Sequence, residues 1–207
     1  MYPDTLLDIA MIHAENLIEK ARRGDDKAIS QLISLWHKRL YNFCYKYFSD
    51  HDLAMEVTQK TFIAMYKNIE TLADISKFKP WLYRIAVNHC HEEERKSKRN
   101  LMVSFRKGSD EEKEKVENII DDSINPYQQL QLSELNGILK ECFMLIAAEQ
   151  REVLIMKEYE GLKFREIAEV LDISENTAKS RLYYGLNSLR KILKAKNINK
   201  DTVYYGN

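Results

Sequence analysis

From Asp25 to Arg99 apolar side chains return every three or four residues almost without a break. An α-helix turns once in about 3.6 residues, so this spacing lines one side of a helix, whereas a half-buried strand needs strict alternation. Ile29, Leu32, Ile33, Trp36, Leu40, Phe43 and Tyr47 make one stripe, and Val57, Phe62, Met65 and Ile69 make a second. Leu72 to Lys79 reads as a loop. Pro80 closes it, because proline suits the first turn of a helix, where its missing N–H costs nothing. Trp81, Leu82, Ile85 and Ala86 then open a third helix that carries on into a basic run. Six Gly and three Pro in 207 residues, with Leu, Ile, Lys, Glu and Ala dominant, also favour helix over strand. The expected fold class is all-α.

Residues 1 to about 21 are expected to form a short amphipathic helix, with Leu6, Ile9, Ala10, His13 and Leu17 on one side. Beyond residue 100 the periodicity is lost. Residues 101–127 are strongly charged, with Gly108-Ser109 and Asn125-Pro126 bracketing an acidic section, the composition of a flexible linker. Helical pattern resumes with Leu130, Leu132, Leu135, Ile138 and Leu139, then Val153 to Tyr159. The expected organisation is an extension over 1–23, a small helical domain over 24–100, a linker over 101–127, a second helical domain over 128–196 and a tail over 197–207.

A formal net charge of zero hides segregation. Arg95, Lys96, Lys98, Arg99, Arg106 and Lys107 are followed by Asp110, Glu111, Glu112, Glu114, Glu117, Asp121 and Asp122, and Lys179 to Lys200 is basic again. Two basic blocks around an acidic one leave nucleic acid open as a partner. The longest apolar run, Cys142 to Ala148, falls far short of the ~18 residues of a membrane span. The opening Met-Tyr-Pro-Asp lacks a signal-peptide layout, so a cytoplasmic location is expected. Cys44, Cys90 and Cys142 are odd in number and widely spaced, which predicts buried reduced thiols rather than a disulfide framework.

The stretch from Gly161 to Lys191, GLKFREIAEVLDISENTAKSRLYYGLNSLRK, is interrupted once, at Asp172-Ile173-Ser174. Phe164, Ile167, Ala168 and Leu171 form the apolar side of a short helix. Ser174 is a good N-cap for the next, since its hydroxyl accepts an otherwise unpaired backbone N–H. That helix is expected to bury Ala178, Leu182, Leu186, Leu189 and Leu193. Its opposite side carries Asn176, Ser180, Tyr184, Asn187 and Lys191, flanked by Lys179 and Arg181. This is the pattern of a helix-turn-helix with a basic second helix. After Glu175 no acidic residue appears until Asp201. A helix laid in the major groove lies close to phosphates on both sides, so carboxylates there are repelled while Lys and Arg release counterions. Asn and Arg can also read base edges through paired hydrogen bonds.

Two other classes compete. His89, Cys90 and His91, followed by Glu92, Glu93 and Glu94, hint at a metal or acid–base site. Residues two apart lie about 200° around a helix, so His89 and His91 cannot share a ligand. No phosphate loop, nucleophile motif or zinc-type cysteine pair occurs, so no metal, cofactor, small-molecule substrate or enzymatic activity is expected. The second alternative is a stand-alone helix-turn-helix transcription regulator whose N-terminal half is a sensor domain. Such a protein binds duplex DNA tightly without help.

A specific resemblance separates these readings. GLKFREIAEVLDISENTAKSRL, preceded by REVLIMKEYE, looks like region 4 of the extracytoplasmic-function (ECF) group of the bacterial sigma-70 family. LAMEVTQKTFIAMYKNI and FKPWLYRIAVNHCHEEERKSKR resemble region 2 of the same group, through Ala54, Glu56, Gln59, Phe62, Phe78, Trp81, Leu82, Ile85, Ala86, Asn88, Glu92 and Arg95. The two blocks occur in the family's order and cover about residues 24–100 and 128–195. Glu56 and Glu92 stand where the family usually has Asp, Ala147 where Leu-Pro is usual, Asp172 where the turn usually has Gly, and Ala178 where Val is usual. Asp172 is tolerable because Asp enters the left-handed region readily. Ala178 should thin the helix-turn-helix core.

The resemblance implies two small helical domains on a flexible charged linker, acting as a dissociable sigma subunit. It implies docking on core RNA polymerase through Glu56, Gln59 and Lys60. The −10 element would be opened and read by Lys77, Lys79, Arg84, Asn88, Arg95, Lys96 and Arg99. Trp81 is assigned to the core stripe rather than to a base-stacking platform. The −35 element would be read by Ser174, Asn176, Thr177, Lys179, Ser180, Arg181 and Tyr184, with Arg190 and Lys191 on phosphates. The partners implied are core polymerase, promoter DNA and an anti-sigma factor, often membrane-anchored. The acidic linker is implied either to thread the polymerase cleft or to serve as a solubilising tether.

Overall fold

The structure is a computed structural model, and residues 15–104, 137–138, 140–196 and 198 are described. The described residues are helical, with no strand among them. Helix α1 covers 15–22 and buries Leu17, Ile18 and Ala21 in the core. Part of the expected N-terminal extension is therefore built into the domain it precedes. Leu6, Ile9, Ala10 and His13 lie outside the described residues.

Helix α2, Asp26–Phe48, starts at Asp25, whose carboxylate accepts the N–H groups of Lys27 at 2.9 Å and Ala28 at 3.2 Å. It stops at Ser49, in the left-handed region at φ 59°. Asp50 immediately caps α3, His51–Asn68, accepting Leu53 N–H at 3.0 Å. A C-cap followed at once by an N-cap makes a tight corner, so α2 and α3 pack side by side. One short 3₁₀ turn, Ile69–Thr71, follows α3 and a second, Ile75–Lys77, lies in the expected loop; α4, Phe78–Ser104, starts two residues inside that loop, with Pro80 in its first turn, and runs four residues into the expected linker. Leu32, Leu40, Phe43, Tyr47, Val57, Met65, Leu82, Tyr83 and Ala86 are buried among these helices. Phe43 meets Tyr83 edge to face at 5.1 Å between ring centroids. Trp81 is half-buried and lies 6.0 Å from the Phe78 ring, packed on the core as expected. Cys44, Cys90 and Cys142 are buried and unpaired.

The second bundle begins with helical residues at 140–144 (α5), followed by α6, Ala148–Leu154. Ala147 caps α6 with no side-chain hydrogen bond. The helix widens into a π turn over Ile155–Tyr159, in which Glu160 N–H reaches back to the Ile155 carbonyl at 3.2 Å. Gly161, at φ 64°, then reverses the chain through a conformation costly for any residue with a Cβ. Helix α7, Phe164–Leu171, ends at Asp172 in the left-handed region at φ 54°. Ser174 caps α8, Glu175–Ala195, its hydroxyl accepting Thr177 N–H at 3.0 Å.

One part of the expected stripe on α8 is corrected. Leu186 is exposed, while Ala178 and Gly185 are the buried positions. The reason is the close crossing with α6, where a Cβ on Gly185 would sit 3.3 Å from Gln150 Cβ. The backbones approach through the glycine, which turns Leu186 outward.

The two bundles do not stand apart. Val153, Ile155, Met156, Leu162, Ile167 and Val170 join the same continuous core as Phe43, Phe78 and Tyr83. Helix α7 packs against α4, and the π turn packs against α2. The acidic section and most of the expected linker lie outside the described residues.

Candidate nucleic-acid interface

Helix α8 presents Asn176, Lys179, Ser180 and Tyr184 to solvent. Their spacing of three, one and four residues keeps them on one side of the helix. Ser174 and Thr177, expected beside them, are committed to the cap, with their hydroxyls 2.8 Å apart. Lys179 lies over the Phe164 ring of α7 at 5.8 Å, tying α8 to the helix beneath it. Arg190 and Lys191 extend the exposed basic surface one to two turns further along. Arg181 points another way. It is partly buried and donates to Glu152 Oε1 on α6 at 3.2 Å.

Helix α4 presents a second basic surface. Arg84, Asn88, Arg95 and Arg99 are exposed and spaced by four, seven and four residues, which aligns them along one side of the helix. Lys96 lies beside that stripe and is paired with Glu92 at 2.9 Å and Glu93 at 3.0 Å. Lys77 and Lys79 lie at the start of the helix, and the second bundle engages both. Lys77 pairs with Glu169 at 3.1 Å, and Lys79 donates to the Glu160 carbonyl at 2.5 Å. Burial, and then the nearby Arg39 charge, hold the Lys79 ammonium below the usual lysine range.

The residues expected to meet polymerase share α3. Lys60 bridges Glu56 at 2.5 Å and Glu93 at 2.7 Å, and these two carboxylates push its pKa up to about 12. Glu56 and Gln59 line a groove of about 740 Å³ together with Met55, Phe62, Ile63 and Tyr66. Sequence reasoning named the polar residues and missed Met55, Ile63 and Tyr66. Their positions, interleaved with Gln59, were the available signal, because they fall off the buried stripe yet carry large apolar groups.

It also missed the carboxylates at the seam between the bundles. Glu160 is 4% exposed and accepts from Arg39 Nε at 2.9 Å and from the Tyr83 hydroxyl. Burial and this carboxylate push the Tyr83 hydroxyl up. Glu152 is 1% exposed and lies 2.6 Å from His91 Nε2. His91 and His89 thus face separate carboxylates, with His89 Nδ1 3.7 Å from Glu92.

The hydrogen bond to Glu152 raises the His91 pKa; partial desolvation opposes this, Glu94 adds to it and Arg95 opposes it. Tyr47 is the other ring beside His91. With its folded value above the ordinary ~6.5, His91 contributes stability that is complete below that pH and lost as pH rises through the folded value. The expected result is a melting temperature that falls from about pH 6.5 upward, with less than one proton released at this site. His91→Gln should remove that part of the slope, which differential scanning calorimetry across the window checks.

Two helical modules, one ending in a helix-turn-helix and each carrying an exposed basic helix, have the architecture of a DNA-binding protein. Residues 32–100 match the family model "Sigma-70 region 2", and residues 131–189 match "Sigma-70, region 4". The chain is 30% identical to the ECF RNA polymerase sigma-E factor of Haemophilus influenzae over 174 residues, 81% of this chain and 88% of the relative. It is 28% identical to the ECF RNA polymerase sigma factor SigW of Bacillus subtilis over 177 residues, 86% of this chain and 95% of that one. Its fold is similar to that of the sigma factor RpoE from Bartonella quintana, solved with the anti-sigma factor NepR, with a TM-score of 0.65, 24% identity, and coverage of 81% of this chain and 98% of that one.

The chain belongs to the extracytoplasmic-function group of the sigma-70 family. It is a dissociable sigma subunit that binds core RNA polymerase and promoter DNA to start transcription, rather than a stand-alone regulator. That family is not in general an enzyme family. Among the described residues no helix is long and apolar enough to cross a membrane.

Proposed function

We propose that the two basic surfaces divide promoter recognition between them, within domains spanning 24–100 and 128–196 on either side of a 101–127 linker. Asn88 on α4 reads an unstacked base of the −10 element, while Arg84, Arg95 and Arg99 track its backbone and Lys77, Lys79 and Lys96 add charge. Asn176, Lys179 and Ser180 read the −35 element as duplex. Arg181 and Tyr184 support them, and Ser174 and Thr177 present the helix end. The observation that carries this assignment is the alignment of exposed Asn88 with three exposed arginines on one side of α4.

Glu56, Gln59 and Lys60, with the apolar groups of the α3 groove, dock on core polymerase. The chain works in the cytoplasm, where its polymerase is, under the control of an anti-sigma factor. The solved Bartonella relative, a complex with an anti-sigma factor, supports such a partner.

The test is run-off transcription with sigma-free core polymerase and a panel of genomic promoter fragments. Discrete transcripts are expected. Asn88→Ala and Lys179→Ala should each reduce them by about tenfold or more, consistent with ~1–3 kcal/mol for a base-reading contact. Transcripts unchanged by both substitutions would move the readers elsewhere.

A further inference from the structure

A charged side chain is rarely buried unless a partner replaces its hydration. Glu152 on α6 is 1% exposed, so its carboxylate depends on what surrounds it. One oxygen meets His91 across the seam at 2.6 Å. The other accepts from Arg181 Nη1 of α8 at 3.2 Å, inside the second bundle. Arg181 follows Ser180 directly, yet its guanidinium turns back onto α6 and its side chain is only 28% exposed.

Arg181, Gly185 and Ser188 are spaced by four and three residues, so they form one line along α8. All three meet residues 150–154 of α6. A Cβ on Gly185 would lie 3.3 Å from Gln150 Cβ and 3.6 Å from Leu154 Cδ1, and Ser188 Oγ lies 3.4 Å from Gln150 Oε1. The buried positions of α8 are Ala178 and Gly185. Small residues let two helices come close but supply no ridge to interlock, so they set the separation and oppose rotation about the helix axis only weakly. The Ser188 contact is long and uncharged. The Glu152–Arg181 pair is the charge-assisted, directional contact on this line.

Rotation matters because Asn176, Lys179 and Ser180 are exposed on another side of the same helix. A side chain ends about 6 Å from the helix axis, so a roll of about 20° carries its tip about 2 Å. A hydrogen bond to a base edge is lost over that distance, since donor and acceptor must stay within ~2.7–3.2 Å.

We propose, on the −35 reading given above, that Glu152 is a positioning residue for −35 recognition: through Arg181 it fixes the roll of α8 and so aims Asn176, Lys179 and Ser180 at the bases, while Arg181 itself stays off DNA. A carboxylate in a DNA-reading module is tolerated here because it is buried and neutralised from within, away from the phosphates that would repel it.

The test uses holoenzyme reconstituted from core polymerase and full-length variants. The probes are a promoter fragment that gives a run-off transcript and the same fragment with its −35 element scrambled. Filter binding over a salt series reads the affinity ratio of the two fragments and the slope of affinity against salt. Arg181→Met should lower the ratio about tenfold, the scale of one base contact, and leave the slope unchanged. Glu152→Met should lower the ratio similarly, although it keeps Arg181. In Glu152→Met/Arg181→Met two apolar groups replace the pair, an exchange that buried ion pairs often tolerate. Its melting temperature should return towards that of the parent, while the ratio stays as low as in the single variants and no lower. A pair with a merely structural role would recover the ratio together with the melting temperature.

If a single variant fails to fold, the double variant carries the test. A slope reduced by about one in Arg181→Met would put Arg181 on a phosphate and overturn the proposal. So would a parental ratio in Glu152→Met or in the double variant. Lys179→Ala separates this from the −35 reading beneath it. An unchanged ratio in Lys179→Ala removes the reading surface, whereas a lowered one beside parental ratios in the pair variants removes the role of Glu152 alone.

Discussion

Ile63→Glu is expected to weaken binding to core RNA polymerase by about 30-fold or more while leaving the fold intact. Met55, Ile63 and Tyr66 are 42%, 48% and 54% exposed on α3. Met55, Gln59, Ile63 and Tyr66 are spaced by four, four and three residues, so they line one side of the helix around the groove. Contiguous exposed apolar groups of this kind mark interaction sites. Fully burying an isoleucine is worth about 1.5–3 kcal/mol, and a carboxylate forced into the same interface adds a desolvation penalty. A loss of about 2 kcal/mol corresponds to the stated factor. Since the Ile63 side chain is largely in water in the free chain, the melting curve should shift by no more than about 0.5 kcal/mol in stability. Surface plasmon resonance on immobilised core polymerase reads the affinity. An Ile63→Glu variant that binds like the parent would move the docking surface off α3.

Phe43→Ala is expected to destabilise the fold by about 3–5 kcal/mol, the usual cost of deleting a buried phenyl ring. Phe43 is fully buried, and its ring packs edge to face on Tyr83, beneath the junction of the two bundles. Natural domains are stable by only about 5–15 kcal/mol, so this one cavity removes a large share of the total. With a urea dependence of about 2 kcal/mol per molar, the midpoint should fall by about 2 M. Because one core serves both bundles, far-ultraviolet circular dichroism and the fluorescence of Trp36 and Trp81, 5.6 and 6.0 Å from Phe78, should report the same transition. A shift below about 0.5 M, or two separate transitions, would contradict the single core.

Most of the fold was legible in the sequence because helices obey local rules. The stripes through Leu32, Leu40 and Phe43, and through Val57 and Met65, announce their buried side by spacing alone. Ser174 announces the start of α8 by chemistry alone. The failure at Leu186 has a different origin. Spacing gives a helix its apolar side but does not give the position where a neighbour crosses, and here a glycine decides that position.

The same limit hid the seam. Arg39 and Glu160 are 121 residues apart in the chain, and no periodicity connects them. Glu152 and Glu160 look like ordinary polar positions on a helix until the tertiary fold removes their water. The exposed polar and basic sides of α4 and α8 were legible because Asn and Arg on one side of a helix carry their chemistry outward. Which of those cations the rest of the chain already holds could be learned only from the packed structure.

The three thiols set a boundary on how this protein can be controlled. Cys44, Cys90 and Cys142 are sealed in the interior, and burial with the adjacent Cys44 pushes the Cys90 thiol well up, away from the reactive thiolate. Oxidants act on thiolates that solvent can reach. The cysteines of the folded chain are therefore shielded from them, and a signal that works by thiol chemistry can reach this protein only through another molecule.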